Sequence, residues 1–512
     1  MSSGKWLCDL ALKSWLTIVL LVYAIVGALT ISHDIAWGDD WAQYVLHARN
    51  LLAGHAYADT GYIFNVDAPN VGPPTYPPGL PMLLAAAMSI CGLNLIALKL
   101  VCFACVVLAL PLMFAVLQRD FGRGVAIVSV LMFAMHDQVW SLRDTINSEM
   151  PYLLVTMLTL WVLTSHRGSD QPPLMSGILS GIGLGTLAYA AVACRSIGIA
   201  MVPAMLVYGY ARRRALGWFL GVVLTLALLV WLQKIFIVMP ATYGNELKTP
   251  TLALAYSNME GYVSALAGVF RMPLGLSGAA AYGVLVLMAI GAVTLCRRKQ
   301  ADELAVLGIR ALLARLPASA LYLGAYTSAL LLAAIAPQPR YLLPVLPIAV
   351  AIAATAFVWI ASRLPRPNVT YWISISVLVL YYVTLSLTTP SFPVDGVATC
   401  KQCQELFSFV RDKTPPNTIV AFAKPRAMAL LGDRPTWAWS PSYTPAVLRA
   451  RIDALKVGLL VIGAPGSAWA TKNPAPVSSE ISPAGFAGTI AFKNDMFVAI
   501  WLPRHSKTSV PP

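Results

Sequence analysis

Runs of about 20 mostly apolar residues recur along this chain from Trp15 to Thr389, each long enough to span a hydrocarbon layer of about 30 Å. No single water-soluble core absorbs that much apolar sequence. Of 512 residues, 58% are hydrophobic and 11% charged, against about 25% charged in a soluble chain. The class that follows is a polytopic membrane protein. A net charge of +14 would suit nucleic acid if it lay on one face, but the cations sit in short clusters between apolar runs, as the positive-inside rule demands. No nucleic-acid partner is expected. The first run, Met1 to Leu29, has no small-residue cleavage site after it, and Asp9 interrupts its basic start, so it reads as a retained span rather than a secretory signal.

The basic clusters set a topology. Placing Lys5/Lys13, Arg119/Arg123, His166/Arg167, Arg212 to Arg214, Arg297 to Lys299 and Arg363/Arg366 in the cytoplasm predicts spans near 15–32, 95–117, 122–139, 149–165, 177–194, 196–211, 215–237, 277–296, 317–336, 341–361 and 370–389. The N-terminus is then inside and the C-terminus outside. Leu80 to Cys91, after Pro77-Pro78-Gly79, is too short for this count and reads as a half-helix in the outer leaflet. The alternative is a true span, which would invert every later loop. The outer face collects His33 to Tyr76, Trp140 to Ser148, the turn at Arg195, Pro240 to Leu274, Pro337 to Arg340 and everything after Pro390.

The tail has ordinary polarity. Thr418-Ile-Val-Ala-Phe-Ala and Val457-Gly-Leu-Leu-Val-Ile-Gly read as short buried strands, with helices near Gln404 to Asp412 and Pro445 to Leu455. Residues 1–390 therefore form a transmembrane module with a first outer loop at 33–79, and residues 391–512 a small soluble α/β domain. His505 to Pro512 read as a disordered end. Of eight cysteines, six lie in or beside apolar runs and carry no chemistry, whereas Cys400 and Cys403 form a C-x-x-C where a disulfide can persist.

Polar residues concentrate at outer span ends. Asp39 and Asp40 follow the first span, and adjacent carboxylates at a membrane surface are costly. They read either as caps of a helix from Trp41 to Ala53 or as working groups. Asp144 and Glu149 mark the second outer turn, where Glu149 fits a first-turn acid with Ser148 as its cap. Arg195 and Arg340 stand at outer helix ends against the positive-inside pattern, and a guanidinium there grips phosphate through paired hydrogen bonds. The segment Val71 to Pro81 fixes its backbone with five prolines and presents Tyr76 on a rigid rim.

In this order the residues resemble the GT-C class of membrane glycosyltransferases, particularly bacterial members similar to the protein O-mannosyltransferases and the lipid A aminoarabinose transferase. The resemblance is carried by Asp40, Tyr44, Ala48, Arg49, Leu51 and Gly54, then Tyr76-Pro77-Pro78-Gly79-Leu80-Pro81, Glu149, Arg195 and Arg340-Tyr341-Leu342-Leu343-Pro344, over about residues 15 to 390. It implies a GT-C-like bundle of roughly 11–13 transmembrane helices in a bacterial cytoplasmic membrane, with the C-terminal domain extracytoplasmic. It also implies transfer of a sugar, with inversion, from a polyprenyl-phosphate donor to an envelope glycan, lipid or protein. Asp40 becomes the general base, Asp39 and Glu149 orient the acceptor or hold a divalent ion if one is used, and Tyr44, Tyr76, Asp144, Arg195, Arg340 and Tyr341 bind substrate. The aminoarabinose enzymes carry an acid and a lysine around the proline-rich rim; Thr75, Tyr76 and Pro77 offer neither, which leaves Lys248 as a replacement cation and metal binding at the rim in doubt. The rival reading is a transporter or flippase, which predicts inverted repeats and charges near the bilayer midplane. No repeat is evident, and the polar residues lie at span ends.

Overall fold

The computed structural model describes residues 17–68, 71–165, 174–239, 251–270, 277–297, 309–333, 336–363, 396–440, 442–473 and 488–502. The predicted span 370–389, Lys248 and the C-terminal end from His505 lie outside them. The chain folds as two units, one of residues 1–31, 99–236 and 243–392, the other of residues 32–98, 237–242 and 393–512. The first outer loop thus belongs to the same unit as the tail.

The first unit is helical. Its described helices are α1 (Thr17–Leu29), most of α4 (Leu95–Phe121), α5 (Arg123–Ala134), α6 (Asp137–Leu142), α7 (Glu149–Ser165), α8 (Leu174–Cys194), α9 (Met201–Ala211), α10 (Leu216–Phe236), α11 (Leu252–Phe270), α12 (Ser277–Arg297), α13 (Ile309–Arg315), α14 (Ala318–Leu332) and α15 (Leu346–Ala361). Among the described residues, the segments Leu95–Phe121, Met175–Cys194 and Leu216–Phe236 are long and apolar enough to cross a membrane; the remaining apolar helices are shorter. The pairing of α8 with α10 shows how small residues build such a bundle. Gly177, Gly181 and Gly185 recur every fourth residue on α8, and a methyl group on Gly181 would lie 2.9 Å from the Cα of Gly221 on α10. Backbones in van der Waals contact substitute for a hydrophobic effect that is absent between helices in lipid. Leu220, Leu224, Leu228 and Trp231 of α10 are exposed, apolar surface of the kind that a lipid environment solvates.

Two local expectations change. The segment predicted as an outer loop from Pro240 to Leu274 contains α11, which buries Tyr262, Ala265 and Leu266. Apolar residues three and four apart give it a packable stripe. The span predicted from 341 starts instead at Leu346, because Pro339–Leu342 form a 3₁₀ turn and Pro344 lacks the amide hydrogen an α-helix needs.

The second unit holds α2 (Asp40–Ala53), α3 (Gly79–Cys91) and the tail helices α16 (Lys401–Lys413), α17 (Pro425–Leu431), α18 (Pro445–Leu455) and α19 (Ala468–Lys472). They surround a six-stranded sheet of order β1-β3-β2-β4-β6-β5, with β1 (Tyr62–Ile63), β2 (Val420–Ala421), β3 (Thr436–Trp437), β4 (Leu459–Gly463), β5 (Thr489–Lys493) and β6 (Phe497–Trp501). The first four strands in that order are parallel and the last two pairings antiparallel. The strand β1 comes from the first outer loop. On one side of the sheet, Trp437, Leu448, Ile452, Leu460 and Ile500 share a core. Elsewhere in the unit Trp37, also from the loop, stacks into Phe407, Phe422, Trp469 and Phe497, with its ring 4.3 Å from that of Trp469. Cys400 and Cys403 are disulfide-bonded at the start of α16.

Candidate functional site

Asp39 and Asp40 stand where α2 begins, between Trp37 in the aromatic cluster and the helix. Asp39 occupies the N-cap position of α2, yet its side chain makes no bond to that helix. Its carboxylate instead accepts the backbone amides of Arg426 at 3.1 Å and Ala427 at 2.9 Å, the second and third residues of α17, where Pro425 fills the first position. Asp39 therefore caps a helix nearly 390 residues away rather than its own, meeting two of the amides that a helix start leaves unpaired. Burial raises the pKa of this carboxyl, opposed by the Arg426 charge and the two amides.

Asp40 receives two donors on one oxygen: Tyr76 Oη at 2.7 Å and Arg426 Nη1 at 3.0 Å. Its side chain remains 43% exposed, whereas that of Arg426 is fully buried. A buried guanidinium is tolerated only when paired and hydrogen-bonded. Arg426 meets that condition through Asp40, the Tyr76 hydroxyl at 2.8 Å and the Pro73 carbonyl at 3.2 Å, with Tyr62 and Tyr76 rings 4.9 and 5.0 Å away. Burial opposes its charge, but Tyr76, Asp40, Asp39 and Tyr62 outweigh it and hold the pKa above its usual value.

Tyr76 is anchored at every polar atom. Its ring is buried, not presented on the rim as the sequence suggests, because it stacks on Tyr44 with centroids 4.8 Å apart. Its carbonyl accepts Tyr57 Oη at 2.8 Å, and its amide donates to His47 Nε2 at 3.2 Å. Since the amide is a donor, Nε2 must be the acceptor, and His47 Nδ1 carries the proton it gives to the Tyr57 carbonyl at 2.8 Å. Burial lowers the His47 pKa to about 4, opposed by its bond to the Tyr57 carbonyl and aided by Arg426. Gln43 donates to the Pro74 carbonyl and to Thr60, so the proline-rich segment is tied down along its length. Gly72 completes it at φ +91°, where a side-chain carbon would come within 2.6 Å of Arg426 Nη2. Only glycine suits both that backbone angle and that approach.

A second constellation lies in the helical unit. Glu149, buried at the first turn of α7, binds Arg195 Nη1 at 2.6 Å and has Arg340 Nε at 3.9 Å. Arg195 also donates to Ser148 Oγ at 3.2 Å, and both guanidinium groups lie over the Tyr341 ring, at 5.6 and 5.3 Å. One carboxylate thus faces two guanidinium groups, the side-chain chemistry that grips a phosphate through paired hydrogen bonds. Nearby, a cavity of about 160 Å³ is lined by Tyr262, Leu330, Leu342, Val345 and Leu346 among other apolar residues. The Tyr262 hydroxyl is buried with no hydrogen-bond partner among the described residues.

Of the residues singled out in the sequence, Asp39, Asp40, Tyr44 and Tyr76 meet in one unit, and Glu149, Arg195, Arg340 and Tyr341 in the other. Asp144 pairs with its neighbour Arg143 at 3.6 Å, and Lys248 is outside the described residues. Among those residues no group of three histidine, cysteine or acidic side chains could hold a metal ion. Sequence reasoning missed Arg426 and His47. A signal for Arg426 existed: it follows a buried strand and a proline that opens a helix, and ligand sites gather off the carboxyl ends of parallel strands.

Residues 75–243 match the family model described as dolichyl-phosphate-mannose-protein mannosyltransferase. No curated protein matches the chain in sequence at a significant level. The fold is shared with the crystal structure of ArnT from Cupriavidus metallidurans bound to undecaprenyl phosphate, at 13% identity and a TM-score of 0.52 over 98% of each chain. It is shared too with the oligosaccharyltransferase AglB from Archaeoglobus fulgidus in complex with an inhibitory peptide and a dolichol-phosphate, at 11% identity and 0.54, over 88% of this chain and 69% of that one. The arabinofuranosyltransferase AftD from Mycobacteria aligns at 14% identity and 0.52, over 96% of this chain and 40% of its own. All are GT-C glycosyltransferases.

Proposed function

Starting from the GT-C glycosyltransferase fold that this chain shares with those enzymes, we propose that it transfers a sugar from a polyprenyl-phosphate donor to an acceptor at the outer face of a cytoplasmic membrane. Asp40 is the general base. The observation that carries this is its geometry: one oxygen fixed by Tyr76 and Arg426, with the carboxylate still 43% exposed. A carboxylate held in one orientation and partly exposed accepts the proton of an incoming nucleophile without having to be ordered first. As the acceptor oxygen bonds to the anomeric carbon and gives its proton to Asp40, the bond from that carbon to the phosphate oxygen breaks on the opposite face. The electron pair leaves with the lipid phosphate.

That leaving group needs positive charge. Charge of that kind is held in the helical unit by Arg195 and Arg340, which Glu149 keeps together beside Tyr341. The apolar cavity lined by Leu342 and Val345 has the chemistry to take a prenyl chain, and the Tyr262 hydroxyl on its wall is an uncommitted donor. Asp39 acts as a fastener for α17, and Tyr44 as the platform for Tyr76. Residues 1–390 cross the membrane about eleven times with the N-terminus in the cytoplasm, and the tail is extracytoplasmic.

Cells lacking the protein should accumulate a lipid-linked sugar that mass spectrometry identifies. Wild-type protein should clear it, and Asp40→Asn, present in membranes at the same level, should not. Clearance by Asp40→Asn would remove Asp40 from the chemistry and the reading with it.

A further inference from the structure

We propose that Arg426, contributed by the tail, is the positioning residue that sets the orientation and the basicity of Asp40, so that the tail is a working part of the transferase site. This rests on the glycosyl-transfer reading above and adds to it a residue and a dependence on a separate stretch of chain.

The argument begins with a cost. Arg426 is the largest fully buried side chain among the described residues, and burying a guanidinium is expensive where an apolar residue of the same volume would serve a fold as well or better. The tail has nothing to gain from the charge by itself: Arg426 spends its guanidinium on the first outer loop, through Asp40, Tyr76 and Pro73. Its backbone amide meanwhile binds Asp39, so a single residue addresses both adjacent carboxylates, one through the main chain and one through the side chain. The loop is shaped to receive it, with Gly72 leaving room for Nη2 and Tyr62 and Tyr76 facing it at about the same distance.

The chemistry follows from what a guanidinium cannot do. It does not deprotonate at any physiological pH, so it fixes Asp40 without competing for the proton Asp40 must collect. One arm of its planar fork reaches both Asp40 and Tyr76 while Nη2 is anchored on Pro73, which sets the position of the bonded carboxylate oxygen. A permanent cation beside a carboxylate also lowers the pH at which it becomes a base. Lysine would retain the charge and lose the fork.

Membranes carrying the full-length protein, supplied with the polyprenyl-phosphate sugar that accumulates in cells lacking it, provide the assay. Arg426→Lys should lower kcat about tenfold to a hundredfold, with the donor KM and the acid limb of the pH–rate profile little changed. Arg426→Met should lower kcat further and move the acid limb to higher pH. The proposal is overturned if both variants, at wild-type abundance, keep the wild-type kcat and acid limb. It is overturned equally if both vanish from membranes while Asp40→Asn and Tyr76→Phe accumulate normally, since Arg426 would then serve the tail's fold alone. Failure of Asp40→Asn to lose transfer defeats the underlying reading and is a separate result.

Discussion

Acidification should release Tyr76, because His47 is the titratable group that holds its amide. In the folded protein His47 is neutral, with a pKa lowered from 6.5 to about 4, chiefly by burial. Protonation would turn Nε2 from acceptor to donor against the Tyr76 amide and place a second cation near Arg426. The sign follows by linkage: the unfolded chain takes up the proton first, so the contribution is fully present above pH 6.5, falls as pH drops and levels off below about 4. A shift of that size corresponds to a loss of about 2 kcal/mol by about pH 5 and about 3 kcal/mol by about pH 4. The assay is thermal unfolding of the full chain in detergent across that range, compared with His47→Gln, whose amide oxygen still accepts from Tyr76 and does not titrate. Wild type should lose several degrees more than the variant between about pH 7.5 and about pH 5. Equal slopes would refute both the neutral tautomer and the role given to His47.

Other outcomes are expected on the same grounds. Gly72→Ala should cost about 1–3 kcal/mol of backbone strain and push the guanidinium off Asp40, giving at least about a tenfold loss of transfer with near-normal protein levels. Arg195→Ala should destabilise the helical unit by up to about 3–5 kcal/mol, because Glu149 keeps only the more distant Arg340, at 3.9 Å. The pair Glu149→Gln/Arg195→Ala should recover part of that stability, read as detergent-solubilised melting, without recovering transfer.

How much of this was legible depends on the distance between cause and partner. The helix Pro445–Leu455 carries its own proline start and amphipathic spacing, and it runs between the residues expected. The short helix after Pro77-Pro78 begins at Gly79 and ends at Cys91, because proline chemistry is local. The strand expected over Thr418 to Ala423 pairs only at Val420–Ala421, since a ladder ends where its neighbours end, and they are elsewhere in the chain. Tyr62–Ile63 gave no warning at all: two residues have no period, and their partners are Thr436 and Trp437. Asp39 and Asp40 stand out as an anomaly in the loop, but the group that holds both of them sits in Lys424-Pro425-Arg426, which in isolation resembles any solvated basic helix start. Arg340 and Tyr341 were legible for the opposite reason, being a cation and a ring adjacent in sequence at a span end.

The pairing of the first loop with the tail has a consequence for biogenesis. Asn65 and its hydrogen-bond partner Ala438 are 373 residues apart, and at about 5–20 residues per second of synthesis the loop is made tens of seconds before the strand it needs. Throughout that interval Trp37, Tyr62 and the two aspartates have no partner from the tail, and a ribosome that stops short of the tail leaves Asp40 without Arg426. The geometry around Asp40 is thereby tied to completion of the chain, and holding the waiting loop ready for its partner becomes a task for whatever attends the growing polypeptide.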